Sequence, residues 1–214
     1  MCDPGRYGFG PIDDPSRILS PRRRDGEKIV EVGWEEITPL VAQRLGQYRS
    51  EEIGILASPR MSNEDLFALS QLAEQLGVRN VDFRVPPREP GFEDQILIKA
   101  DNNPNTKGAE LIGLLPRGAG LGAVGMLRTA RAGGLKCLWV FHHDLLGSAW
   151  PEAETLEALL ALDCLIFQGS NDNGVSPYAQ LVLPSATYAE SEGSYTNFEG
   201  RVQRFRKALP PLGE

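Results

Sequence analysis

Ile53-Gly54-Ile55-Leu56-Ala57, then Ser58-Pro59-Arg60, then Ser62-Asn63-Glu64-Asp65-Leu66 is the stretch whose reading decides the fold. The first five residues are apolar or small and have the length of a short buried strand. Ser58-Pro59-Arg60 is a turn. Ser62 with Asp65 three residues later fits a capping box at a helix start. Leu66, Leu69, Leu72, Ala73 and Leu76 then share one helical face, and Gly77 ends it. Residues 80–84 read as the next strand, which completes a βαβ unit.

The pattern extends in both directions. Upstream, residues 28–32 alternate as an edge strand, and residues 34–45 carry a helical period through Trp34, Ile37, Leu40, Val41 and Leu45. Pro39 leaves two starts open. The helix begins near Trp34 and carries the proline early, or Thr38 caps a helix with Pro39 at its first position. Downstream, residues 84–105 hold Pro86, Pro87, Pro90 and Pro104 and read as a long crossover. A short helix is expected over 110–115. The glycine-rich 118–125 leads into a helix through Met126, Leu127, Ala130 and Ala132, stopped by Gly133-Gly134. Strands are expected at 135–141, 164–167 and 179–183, with a helix at 152–162. Alternating strands and helices predict an α/β fold with a mostly parallel sheet flanked by helices. Residues 1–27, poor in apolar side chains, read as an extended segment lying on the domain 28–214.

Bulk properties narrow the function classes. The 214 residues suffice for one well-buried domain. A formal net charge of −7 argues against a general nucleic-acid binder. The clusters Arg22-Arg23-Arg24 and Arg201, Arg204, Arg206, Lys207 read most simply as solvated surface. No apolar run approaches the ~20 residues of a membrane span, and no secretory signal opens the chain. Three cysteines, Cys2, Cys137 and Cys164, make no disulfide framework and suit a reducing compartment. Cys137 and Cys164 lie within apolar strands and read as small hydrophobes.

Candidate site residues follow from the strand ends, where open α/β sheets bind ligands. His142, His143 and Asp144 directly follow the strand 135–141. Gln168, Gly169, Ser170, Asn171, Asp172 and Asn173 follow the next strand, and their amides could read a guanine or pterin edge. A polar strand-end loop and an Asn/Gly turn explain the same residues without a ligand. The run 118–125 mimics a dinucleotide fingerprint but lacks a preceding strand, so a plain loop is the better reading.

Several motifs, in order along the chain, resemble the molybdopterin oxidoreductase superfamily. They are most like the G-type large iron–sulfur subunit of NADH:quinone oxidoreductase (respiratory complex I). Met1-Cys2-Asp3-Pro4-Gly5-Arg6 is similar to its M-C-D-x-G-R, Val30-Glu31-Val32-Gly33-Trp34-Glu35-Glu36 to V-x-V-S-W-D-E, and Ser58 to Leu66 to S-P-R-x-S-N-E-E-L. Asn80-Val81-Asp82 fits N-I-D, and Gly108-Ala109-Glu110-Leu111 fits G-A-E-L. The tail from Val182-Leu183-Pro184 through Glu190, Gly193, Asn197 and Glu199-Gly200-Arg201-Val202-Gln203 matches V-L-P-A-x-x-x-x-E-x-x-G-T-x-x-N-x-E-G-R-V-Q.

The resemblance implies a molybdopterin-oxidoreductase-like fold, truncated, in which Thr196, Asn197 and Arg201 belong to a loop that closes over the cofactor. His142, His143, Asp144, Gln168 and Asn171 would lie against a pterin guanine dinucleotide. His142-His143-Asp144 stands where the family usually has a glycine-led G-E/D-N/D-P. Cys2 occupies the position of the last of four 4Fe–4S ligands. The other three would lie upstream, so the cluster is expected to be absent. Residues 86–95 stand in place of a further nucleotide-fold segment, and the chain stops at Leu212-Gly213-Glu214 where relatives run on. The implied role is a scaffold part of the large iron–sulfur subunit, supporting electron transfer from NADH to quinone, with the chain alone not catalytic. Its partners would be other subunits of a respiratory or redox complex, on the cytoplasmic side and peripheral to the inner face of the plasma membrane. Two alternatives stand beside it: a pterin-binding fragment of a formate-dehydrogenase-like molybdenum oxidoreductase, and a non-catalytic nucleotide-binding or interaction module.

Overall fold

A computed structural model describes residues 6–89, 91–96 and 98–213. Cys2 lies outside the described residues, as does most of the Met1-Cys2-Asp3 motif. Among them a seven-stranded mixed sheet comprises β1 (Arg22–Asp25), β2 (Lys28–Glu31), β3 (Ile53–Leu56), β4 (Asn80–Asp82), β5 (Cys137–Phe141), β6 (Cys164–Gly169) and β7 (Leu181–Pro184). Its order is β2-β1-β7-β6-β5-β3-β4. The five strands β3 to β7 are parallel, and β1 and β2 join antiparallel at one edge. A separate hairpin pairs β8 (Gly193–Thr196) with β9 (Val202–Phe205). The helices are α1 (Trp34–Leu45), α2 (Asn63–Gln75), α3 (Thr106–Ile112), α4 (Ala123–Arg131) and α5 (Glu152–Leu160).

Strand alternation sorts the side chains into two cores. Ile53, Ile55, Cys137, Trp139, Phe141, Cys164, Ile166, Leu181 and Leu183 pack on one face against α1, α2 and α3. Leu56, Leu138, Val140, Leu165, Phe167 and Val182 pack on the other against α4 and α5. Both faces of the central strands are buried, so they read as continuous apolar runs. Gly54 is required by the second core: a Cβ there would stand 2.8 Å from the Met126 sulfur.

Several boundaries differ from expectation for physical reasons. α1 begins at Trp34, capped by Gly33, and carries Pro39 inside it. The missing proline N–H removes one bond of the helical ladder. The short helix sits earlier, at Thr106–Ile112. Gly113 follows in the left-handed region at φ 81° and stops it. Arg22-Arg23-Arg24 is not a solvated run but strand β1. Its backbone pairs with β2 and β7, Arg22 meets Asp172, and Arg23 meets Glu36.

The glycine-rich loop before α4 is pinned to β4. The Leu121 N–H donates to Asn80 Oδ1 (2.9 Å) and the Ala123 N–H to Asp82 Oδ2 (2.9 Å). Gly120 lies so near the Arg79 carbonyl that a Cβ would sit 2.1 Å away. The place where a phosphate would approach this helix end is filled by the chain's own carboxylate. The run 118–125 is a loop, in keeping with the plain-loop reading of its sequence.

Candidate functional site

Renumbered from the first, the five parallel strands run in the order 2-1-3-4-5, with the reversal between β3 and β5. Ligand crevices open at the carboxyl ends beside such a reversal. A crevice of about 1370 Å³ opens there, lined by the loops after β3, β5, β6 and β7. That volume exceeds the roughly 300–1,000 Å³ of ordinary small-molecule pockets. Arg60 comes from the loop after β3, His142, His143 and Asp144 from the loop after β5, Gln168 and Asn171 from the end of β6, and Thr187 from the loop after β7.

His142 is the one non-glycine residue with positive φ among the described residues, at 55°. Its N–H donates to the Gln168 carbonyl (2.8 Å), which extends the β5–β6 ladder one step into the crevice. L-residues pay a steric penalty in this conformation, and such strain concentrates at ligand sites. His143 turns back: its Nε2–H donates to the Ala57 carbonyl (2.9 Å), tying the loops on either side of the reversal. Burial, with Arg60 nearby, pushes both imidazoles down to about 4. Both are neutral at pH 7, so they act there as hydrogen-bonding groups. At that pH proton uptake by either is strongly disfavoured.

Because the left-handed backbone at 142 suits glycine, His142→Gly should unfold at the same or a higher urea concentration than the parent. His142→Ala should fall below His142→Gly by about 1 kcal/mol. A urea titration of the three chains checks the order. Both variants falling well below the parent would mean that the imidazole, not the backbone, governs this position.

The other candidates divide. The Gln168 side-chain amide has no hydrogen-bond partner among the described residues and lines the crevice. Asp144 lines it too, with Oδ1 accepting the Gly147 N–H (3.1 Å). Asn171 lines it but is engaged, donating to the Pro11 carbonyl (3.0 Å) and to Ser16 Oγ (3.3 Å). Asn173 lines it as well and donates to the His143 carbonyl (3.1 Å).

Thr196, Asn197 and Arg201 are placed away from the crevice lining, on the β8–β9 hairpin. Thr196 is buried. Its N–H donates to Asn105 Oδ1 (2.7 Å), and Asn63 donates to its hydroxyl (3.0 Å). Glu64 accepts from the N–H and the hydroxyl of Ser194 (2.8 Å each). Asn197 Oδ1 accepts the N–H groups of Glu199 (3.1 Å) and Arg201 (2.9 Å), which builds the hairpin turn. The Arg201 side chain is 72% exposed, with Glu199 3.9 Å away. The hydroxyls and amides of the tail are thus explained by the N-terminus of α2 and by Asn105.

Two residues escape a reading of the sequence. Arg60 reads there only as part of a turn, although a turn after the first strand of a βαβ unit is a site position. Arg17 carries no sequence signal at all. It is 5% exposed and pairs with Glu190, itself 1% exposed, at 2.8 Å, and it donates to the Ile12 carbonyl (2.6 Å) and to the Ser170 carbonyl (3.3 Å). The Glu190 carboxylate also accepts from the Thr187 N–H (2.8 Å), the Thr187 hydroxyl (2.8 Å) and the Leu212 N–H (2.9 Å). This buried hub locks the N-terminal segment, the β6 loop and the tail around the rim.

The charge of the lining is unfavourable to a pyrophosphate. Five carboxylates (Asp14, Asp65, Asp144, Asp172, Glu192) face two guanidinium groups (Arg60, Arg88). Pairing of Asp172 with Arg22 removes one of the five. The N-terminus of α2, a place for an anion, already holds Glu64 and Asp65 in its first turn. Cys137 and Cys164 begin β5 and β6, at the sheet end opposite the crevice, so neither thiol reaches it. Among the described residues no three His, Cys, Asp or Glu gather as a metal site. Among the described residues the charge balance of the lining does not favour a dinucleotide's pyrophosphate.

Comparison with known proteins adds sequence and fold relationships. A family model described as Molybdopterin oxidoreductase matches residues 101–214. A G-type NADH-quinone oxidoreductase subunit of Rhizobium meliloti (strain 1021) is 39% identical over 98 residues, 45% of this chain and 11% of that protein. A putative formate dehydrogenase of Bacillus subtilis (strain 168) is 35% identical over 86 residues, 38% of this chain and 9% of that protein. The alpha subunit of NADPH-Fe(3+) oxidoreductase from Geobacter sulfurreducens is 34% identical over 101 residues, 47% of this chain and 12% of that protein. These matches span about a tenth of the curated relatives. Acetylene hydratase from Pelobacter acetylenicus shares the fold with a TM-score of 0.72 at 8% identity, covering 100% of this chain and 61% of the other.

Proposed function

Because the chain belongs to the molybdopterin oxidoreductase family, we propose that it is the α/β scaffold part of a larger redox assembly, of the kind formed by the large iron–sulfur subunit of NADH:quinone oxidoreductase. In this reading the α/β domain, whose sheet takes in β1 ahead of the expected boundary at residue 28, supports electron transfer carried by neighbouring subunits from NADH to quinone. The chain itself holds no pterin and performs no chemistry. The observation that carries the reading is the crevice lining, with carboxylates in excess among the described residues and with Cys137 and Cys164 at the far end of the sheet. Anions are repelled from such a surface, and a cofactor with a pyrophosphate needs the opposite charge. The assembly would sit on the cytoplasmic side, peripheral to the membrane. No helix among the described residues is long and apolar enough to cross a membrane.

The second reading is a pterin-holding fragment of a formate-dehydrogenase-like enzyme. The strained backbone of His142 and the Gln168 amide, without a hydrogen-bond partner among the described residues, favour it. His142, His143, Asp144, Gln168 and Asn171 would then contact the pterin nucleotide, whose molybdenum would supply the redox chemistry. Thr196, Asn197 and Arg201 would serve only by shaping the closing hairpin. Elemental analysis for molybdenum and fluorescence of an oxidised extract of the protein, purified with its partners, decide between them. The scaffold reading expects both at background. Molybdenum and pterin fluorescence in stoichiometric amount, lost in Gln168→Ala, would replace it with the second reading.

A further inference from the structure

Cys137 and Cys164 are register partners on hydrogen-bonded parallel strands, the first residues of β5 and β6. Both are free and buried, and both face the core beneath α1. Neighbouring strands lie about 4.8 Å apart, inside the roughly 4.4–6.8 Å of Cα separation that a disulfide spans. Their side chains are neighbours on that face. The pairing of the two thiols holds the Cys164 thiol below its ordinary value and raises Cys137, and Arg44 adds to the first effect. The groups facing the pair are Arg44, half-buried Tyr48 after α1, and Asp163 before β6. Two cysteines serving only as small hydrophobes need no shared register.

We propose that Cys137 and Cys164 are a dithiol redox site, closed into an intra-sheet disulfide by a low-molecular-weight disulfide and reopened by thiols. The Cys164 thiolate attacks one sulfur of RSSR. A Cys164–SR bond forms, the S–S bond of RSSR breaks, and RS⁻ leaves. Cys137 gives its proton to solvent and attacks the Cys164 sulfur, and the second RS⁻ leaves. The pair is oxidised by two electrons, and RSSR is reduced to two thiols. Access requires the end of α1, with Tyr48, to lift. A disulfide between adjacent strands in a reducing compartment belongs to the transient, responsive kind. The site lies at the sheet end opposite the crevice, and the inference is independent of the scaffold reading.

The test uses the native full chain with oxidised glutathione, followed by unfolding and N-ethylmaleimide. No Lys or Arg separates the two cysteines, so a glutamate-specific protease replaces trypsin before mass spectrometry. The expected result is one joined pair of peptides carrying Cys137 and Cys164, lighter by two hydrogens and separated by dithiothreitol. Loss of N-ethylmaleimide labelling at both positions should accompany it. Cys137→Ala should stop the reaction at a glutathione adduct on Cys164. Full labelling of both cysteines, or joining only when urea is present during oxidation, would overturn the proposal. A glutathione adduct persisting on Cys164 in the unsubstituted chain would do the same.

Discussion

Glu190→Gln lowers the free energy of unfolding by about 3–5 kcal/mol, the range for removing one partner of a buried ion pair. The residue left behind is Arg17, buried and without its counter-charge. Glutamine keeps one acceptor oxygen where the carboxylate served Arg17, Thr187 twice and Leu212. Burial alone would raise this carboxyl. The hydrogen bonds outweigh it and hold it down to about 2. A carboxyl whose folded value lies below its unfolded value, roughly 4.3, stabilises the fold fully above that unfolded value. The contribution is lost as pH falls from there toward 2. Urea midpoints followed from pH 7 to pH 2 should therefore decline steeply below about pH 4 in the parent. In Glu190→Gln the decline should be shallower from a lower start. Equal slopes would show that other carboxylates govern the acid limb.

Asp82→Ala is expected to cost about 3 kcal/mol or more, with the damage centred on α4. The carboxylate is 2% exposed. It accepts from the N–H groups of Phe83 (2.9 Å), Arg84 (3.1 Å) and Ala123 (2.9 Å), and from the Arg84 guanidinium (2.8 and 3.1 Å). Loss of a helix cap costs ~1 kcal/mol, and each buried donor left without an acceptor costs about 1–3 kcal/mol. The guanidinium, 58% exposed, can turn to water, so the backbone donors dominate. Amide exchange at residues 121–126 should accelerate in the variant. Asp82→Asn, keeping an acceptor at Oδ1, should recover part of the loss. A variant as stable as the parent, with unchanged exchange in α4, would show that water replaces the carboxylate at no cost.

Where each side chain's environment is local, it is legible in the sequence. The apolar runs of β3, β5, β6 and β7 are buried on both faces, so their composition alone marks them. His142 and Gln168 stand out because chain order places them directly after such runs. β1 is not legible. Three arginines in a row are ordinary on a solvated surface, and what makes them a strand is pairing with β7, about 160 residues away. The tail misleads in the same way. Thr196 and Asn63 are 133 residues apart, and Arg17 and Glu190 are 173 apart. Such partners cannot be seen from spacing, so structural hydroxyls, amides and charges look like ligand groups.

The tie between Leu212 and Glu190 brings the late tail onto Leu19, where a Cβ on Gly213 would stand 2.4 Å from the Leu19 carbonyl oxygen. Two stretches of backbone almost two hundred residues apart in sequence thus run side by side there, and movement of either is felt by the other through the shared Glu190 carboxylate.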